Sequence, residues 1–202
     1  NIQIVTDRPL IEGCHAYISY DPSILERDTT RQWFHVMYPL PVDLKRCTSS
    51  WPPRVISCVS PNNITLHHKV QKSEYRILSN TWSNIGDEDV MYHIREDIVF
   101  NHGIGLSSRM KFPSHKTANR LYISWYCNVP GIFSSNPAMN HIRQSNLDFL
   151  EAKNVDELEE CVNRLTTDKK LYCDMVNNCK QRQDENSYSK IIHQWQTVFD
   201  SI

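Results

Sequence analysis

Apolar residues in the first part of the chain gather in short runs, and only later do they recur at helical spacing. Ile2-Gln3-Ile4-Val5 and Ala16-Tyr17-Ile18-Ser19-Tyr20 read as short strands, each closed by a turn signal, Asp7-Arg8-Pro9 and Asp21-Pro22. A third extended stretch, Phe34-His35-Val36-Met37-Tyr38, runs into Pro39 and Pro41. Val55-Ile56-Ser57-Cys58-Val59 is continuously apolar apart from its serine, as expected of a strand covered on both faces. A polar stretch of weak helical character follows from Asn62 to Gln71, then a strand at Arg76-Ile77-Leu78-Ser79. Val90, Met91 and Ile94 mark one face of a helix, and Ile98-Val99-Phe100 reads as the next strand. Strands alternating with helices predict parallel βαβ units.

The stretch from Lys116 to Ile132 is the most legible. Ala118, Leu121, Tyr122, Trp125 and Tyr126 fall on one face of a helix, and Asn128 falls where that helix must end. After glycine, asparagine best tolerates the left-handed conformation of a helix end, and Pro130 prevents resumption before a strand at Gly131-Ile132-Phe133. Asn136-Pro137 opens a short helix to about Gln144, and Leu147-Asp148-Phe149-Leu150 reads as a further strand. Beyond it the pattern is wholly helical. Asn154 with Glu157 resembles a capping box, followed by the stripe Val155, Leu158, Val162, Leu165. Leu171, Met175 and Cys179 mark a second helix, and Ile191, Ile192, Trp195, Val198 and Phe199 a third.

Thr48-Ser49-Ser50-Trp51-Pro52-Pro53 is polar and doubly proline-stopped, which makes it the best linker in the chain. The expected organisation is a short strand-containing segment over residues 1–50 and an α/β domain over 54–202, a Rossmann-like parallel sheet flanked by helices with a helical C-terminal segment. At 202 residues, one sizeable core, or one domain with part of another, is the expected content.

Charge narrows the partners. Lys plus Arg number 22 against 23 Asp plus Glu, so no global field draws nucleic acid or an anionic membrane, and any charged ligand must be held locally. No apolar run approaches the ~18 residues needed to span a bilayer, so the chain reads as soluble, with the cytoplasm favoured. The 7 cysteines are scattered without a CxxC pair, and several occupy apolar helical positions where a small buried hydrophobe is expected. His15 and His67-His68 lack partners at ligand spacing, so no metal site is assigned.

In an open parallel sheet, ligands bind beyond the carboxyl ends of the strands. The loop after Val59, with Ser60 and Asn62, lacks both a glycine-rich dinucleotide fingerprint and a P-loop lysine. The stretch His102-Gly103-Ile104-Gly105 through Arg109 and Lys111 to Lys116-Thr117 is richer. Its glycines permit close backbone approach, a helix start favours an anion, and Arg109, Lys111, Lys116 and Arg120 supply cationic donors. The bland alternative is a set of solvated charges on an exposed loop. His102 is a base, a ligand-positioning group or a structural histidine, and no residue is assigned as catalytic.

Lys116-Thr117-Ala118-Asn119-Arg120-Leu121 through Trp125-Tyr126-Cys127-Asn128-Val129-Pro130-Gly131-Ile132 resembles the K-P-x-x-K-L…A-W…G-V-P-x-I segment in the donor domain of some GT-B glycosyltransferases, without a gap between lysine and proline. Ser134-Ser135-Asn136-Pro137-Ala138-Met139 is similar to the loop and short helix that follow it in the family, and 154–202 to its closing helices. Upstream, Ala16–Tyr20 and Met37–Asp43 resemble the end of an acceptor domain and the crossover into the donor domain.

The resemblance implies a nucleoside-diphosphate sugar as substrate and no other cofactor, with sugar transfer that needs no metal. It implies a diphosphate near Lys116, Thr117, Arg109 and Arg120. The nucleotide or sugar would lie near Ser60, Asn62, His102, Gly103, Ser134 and Ser135. A glutamate pair that many relatives carry around this helix is replaced here by His115 and Ile123. Most of an acceptor domain is also absent from these 202 residues. The expected partners are therefore the nucleotide sugar and an acceptor-domain chain or oligomer. The alternatives are a donor-binding part, one subunit of a two-part transferase, or an inactive binding module.

Overall fold

The computed structural model describes residues 1–5, 10–40, 44, 46, 51, 53, 55–59, 76–79, 90–93, 117–133, 137–153 and 155–202. Every strand pair among them is parallel. β1 (Ile2–Val5), β2 (Ala16–Ser19) and β3 (Trp33–His35) form a three-stranded sheet in chain order. β4 (Val55–Val59), β5 (Arg76–Ser79), β6 (Val90–His93), β7 (Gly131–Phe133) and β8 (Leu150–Glu151) form a five-stranded sheet in the order β5-β4-β6-β7-β8. This is the α/β class expected from the alternating pattern. The order reverses at β4, which pairs β5 on one side and β6 on the other, and such a reversal opens a crevice between the loops of the two central strands.

One element differs in type from its sequence reading. Residues 90–93, read as a helix face, form β6, the strand between β4 and β7. Val90-Met91 followed by Ile94 fits one turn of an amphipathic helix as well as it fits a strand covered on both faces, where alternation disappears. The strand expected at 98–100 and the weak helix at 62–71 lie outside the described residues. The strand expected over 147–150 is shorter and later, because residues 145–148 form a turn before Leu150. A short helix α1 (Ile24–Arg27) follows the Asp21-Pro22 turn and had no sequence expectation.

α2 (Asn119–Cys127) begins three residues after Lys116 and ends as its sequence requires. Asn128 takes φ 58° and ψ 36°, the left-handed conformation. Its N–H bonds Trp125 O at 3.1 Å while Val129 N–H bonds Ser124 O at 3.0 Å, the pair of bonds that satisfies the last carbonyls of a helix. The Ser124 hydroxyl donates to Val129 O and ties the turn to the helix. The chain enters β7 at once through Gly131, where any Cβ would collide with the Phe133 ring.

α3 (Pro137–Ile142) begins with proline as its first helical residue, as expected. α4 (Val155–Thr167), α5 (Lys169–Arg182) and α6 (Tyr188–Asp200) are the three C-terminal helices. Asp168 caps α5 by accepting from Leu171 N–H at 2.9 Å. On α6 only Ile191 and Val198 of the expected stripe are buried, whereas Ile192 and Phe199 are 55% and 67% exposed. The cysteines at 127, 161 and 179 are buried, as small hydrophobes.

The largest core cluster joins the two ends of the chain. Ile18, Val36, Met37, Leu40 and Leu44 pack with Leu121, Ile123 and Trp125 of α2 and with Ile191 and Val198 of α6. Hydrogen bonds fasten the same junction: Met37 N–H to Gln194 Oε1 at 2.9 Å, Asn186 Nδ2 to Tyr38 O at 2.9 Å, and Tyr188 Oη to Leu40 O at 2.8 Å. A second cluster lies between β8 and helices α4 and α5, and a small third one comprises Val5, Tyr17, Ile24 and Trp33.

Candidate ligand-binding site

The registers Ser57 with Tyr92 and His93 with Phe133 place the carboxyl ends of β4, β6 and β7 side by side. The chain leaves these ends at residues 60, 94 and 134. Ser60 and Asn62 follow β4. His102, Gly103, Arg109 and Lys116 belong to the stretch from β6 to α2, and Ser134 and Ser135 to the one from β7 to α3. The three strands that precede these stretches in the sequence are thus neighbours, beside the reversal of strand order. Of these candidates, Thr117 and Arg120 lie within the described residues; Lys116, Arg109, Ser60, Asn62, His102, Gly103, Ser134 and Ser135 lie outside them.

Thr117 precedes α2, and its Oγ1 accepts from Asn119 N–H at a long 3.4 Å. Ala118 stands at the N-cap and supplies no side-chain acceptor for the first-turn amides. Arg120, half-buried, is in that first turn. Asn119 Oδ1 is buried and accepts no hydrogen bond from the described residues. The helix start therefore offers amide dipoles for an anion.

A buried polar network holds α2 in place. The Asp148 side chain is fully buried, its Oδ1 accepting from Arg182 Nη1 at 2.7 Å and Asn178 Nδ2 at 2.9 Å. Its Oδ2 accepts from the N–H groups of Gln144 and Ser145 at 2.7 and 2.9 Å. Burial works against ionisation, yet these hydrogen bonds and the Arg182 charge hold the carboxyl below its usual range. Trp125 Nε1 donates to Asp148 O at 3.2 Å, and the Arg182 guanidinium lies 4.0 Å from the Trp125 ring centroid. Sequence reasoning singled out none of Asp148, Asn178 or Arg182, whose separations of 30 and 34 residues leave no local signal.

A second cluster gathers at the carboxyl ends of β2 and β3. Buried Asp21 accepts from Ser23 N–H at 3.0 Å and Ser23 Oγ at 2.7 Å and pairs with Arg27. Burial pushes the imidazole of His35, the last residue of β3, down to about 4, with Asp21 opposing and His141 reinforcing the shift. His141 Nδ1 lies 3.5 Å from Glu26 Oε2, which brings α3 against α1. The only signal for this cluster in the sequence was the Asp21-Pro22 turn.

No protein-family model and no curated protein matches the chain by sequence. Solved structures match it by shape. TarM superposes with a TM-score of 0.60 at 8% identity, over 92% of this chain and 43% of its own. A point mutant of S. aureus TarM, solved with fondaparinux, alpha-GlcNAc-glycerol and UDP, gives 0.60 at 10% identity over 92% and 44%. The GtfA/B complex gives 0.56 at 10% identity over 93% and 45%.

The fold is GT-B-like. TarM and GtfA/B are both GT-B glycosyltransferases, so the resemblance read from the Lys116 segment holds at the level of fold. The chain spans less than half the length of the structures it matches. Among the described residues, no helix is long and apolar enough to cross a membrane.

Proposed function

We infer that the chain is the donor-binding portion of a glycosyltransferase and takes a nucleoside-diphosphate sugar across the carboxyl ends of β4, β6 and β7. The observation that carries this reading is the strand order β5-β4-β6-β7-β8, which roots the three candidate loops at neighbouring strand ends. The GT-B-like fold and the UDP in one TarM structure support it.

In this reading the diphosphate lies at the start of α2, beside Thr117 and Arg120, with Lys116 and Arg109 reaching it from the preceding stretch. Amide dipoles and cations there stabilise the departing diphosphate as the glycosidic bond breaks, so transfer proceeds without a metal. Ser60, Asn62, His102, Gly103, Ser134 and Ser135 border the nucleotide and sugar.

A second reading, in which the chain is one part of a two-part transferase or an inactive module, draws on two facts. The chain covers less than half of each structure it matches, and one of those is a complex.

Thermal-shift titration with UDP, GDP, ADP and their sugars tests the donor site. At a ligand concentration of about 100 Kd, binding stabilises the native state by about 2.7 kcal/mol. The expected result is a rise in Tm with one nucleotide series that Lys116→Ala removes. A flat response to all three series at millimolar ligand refutes the donor site. Binding without donor hydrolysis or transfer favours the second reading.

A further inference from the structure

α6 carries two apolar stripes, and the fold covers one of them. Ile191 and Val198 are buried in the main core cluster. Beside them, Tyr188, Ile192 and Phe199 are 49%, 55% and 67% exposed. Trp195, half-buried, links the two stripes by packing against that cluster. With 3.6 residues per turn, Tyr188, Ile192, Trp195 and Phe199 fall within an arc of about 60° and form a seam about 17 Å long.

The side chains of this seam are already held in place. The Trp195 and Phe199 rings stack with centroids 5.7 Å apart and 27° between their planes. Tyr188 is fixed by its Oη donating to Leu40 O at 2.8 Å. Part of the ordering cost of an association is therefore met within the free chain.

Spacing and charge select the occupant. The steps from 188 to 192, 195 and 199 are 4, 3 and 4 residues, the spacing at which apolar side chains meet a second helix. That series reads the same in both directions. An antiparallel copy of α6 thus sets Tyr188 against the partner's Phe199 and Ile192 against the partner's Trp195, about a twofold axis. Antiparallel helices also bring opposite ends of their dipoles together. The charged residues of α6, Lys190 and Asp200, fall on the opposite, polar arc, and a net charge of -1 sets up no strong repulsion between copies. A lipid surface is served less well, because helices that lie on membranes are rich in lysine and arginine along their polar face, and here one lysine stands against one aspartate.

We propose that the exposed stripe of α6 is a self-association surface, on which a second copy of this chain docks its own α6 antiparallel. The two stripes with their polar rims bring together on the order of 1,000 Å², near the lower limit for a specific interface, so the dimer is reversible. This surface is independent of the nucleotide reading.

Sedimentation equilibrium on the full chain, from about 10 µM to about 1 mM, should show the mass rising from monomer toward dimer. Phe199→Glu should weaken the association by about tenfold or more with Tm unchanged, since the position is 67% exposed. Thr197→Glu, on the polar arc, should leave it intact. Tyr188→Glu and Phe199→Lys should each be monomeric alone and associate when mixed, because antiparallel docking sets the introduced carboxylate against the introduced ammonium. A chain that stays monomeric throughout the range overturns the proposal. So does association that survives Phe199→Glu, or failure of the mixed variants to associate. Binding of a monomeric chain to phosphatidylcholine–phosphatidylglycerol vesicles that Phe199→Glu removes overturns it as well, and assigns the stripe to a lipid surface.

Discussion

Trp125 and Trp33 make the same kinds of contact in regions of very different strength. Each indole N–H has an acceptor, Asp148 O at 3.2 Å for Trp125 and Asp28 Oδ2 at 3.0 Å for Trp33, and each ring meets a tyrosine, at 5.6 and 5.1 Å. Trp125, fully buried, lies in the cluster that joins α2 to both ends of the chain, and Arg182 covers its face. Trp33, 8% exposed, belongs to a cluster of four buried residues under a three-stranded sheet whose edge strand leaves Ile2 and Ile4 41% and 49% exposed. Similar local bonds therefore carry different weights, because the value of a buried ring depends on how completely its surroundings are closed and how little they can collapse when it is removed.

The largest expected effect is Trp125→Ala, at about 5 kcal/mol of lost unfolding free energy by urea titration, since both the cavity and the orphaned packing of Arg182 count against it. A loss below that of Trp33→Ala would break the contrast. Next is Arg182→Ala, at about 4 kcal/mol, because it leaves the buried Asp148 carboxylate without its cation; Arg182→Ala with Asp148→Asn should recover part of that loss, and no recovery would deny the coupling. Trp33→Ala is expected to cost about 2–3 kcal/mol and to raise amide exchange mainly in β1–β3.

The smallest effect is that of pH. The His35 imidazole, depressed to about 4 by burial, is neutral in the folded chain. Its contribution is complete above the ordinary histidine value near 6.5 and is lost as pH falls from there toward 4. Asp148, a depressed carboxyl, acts in the lower window: its contribution is present above the ordinary carboxylate value and is lost below it. Acid should therefore weaken the N-terminal sheet before the α2 layer, and His35→Gln should flatten the slope between pH 6.5 and 4; an unchanged slope removes His35 as its cause.

How much was legible in the sequence follows from how local each signal is. Asn128 in the left-handed region, Pro137 opening α3 and the three C-terminal helices are short-range features, and the structure has them where the sequence places them. Residues 90–93 failed because three apolar residues satisfy two periods at once, and only the neighbours β4 and β7 select the strand. On α6, periodicity identified an apolar arc of which the fold covers one half, at Ile191 and Val198, and leaves the other open, at Ile192 and Phe199. For the candidate site, residue types and glycine positions pointed to the loops, but neither spacing nor composition reveals that three strand ends are neighbours.

By itself the sequence determined the α/β class, the helix α2 with its asparagine terminus, and the absence of a global charge field, because propensity, capping and net charge act over a few residues or over none in particular. The tertiary structure alone decided the strand order, the Asp148–Arg182 pairing across 34 residues, and the bringing together of Tyr38 and Leu40 with Asn186 and Tyr188 across 148. Those contacts depend on which surfaces exclude water together. That is a property of the packed chain as a whole, and no window of the sequence carries it.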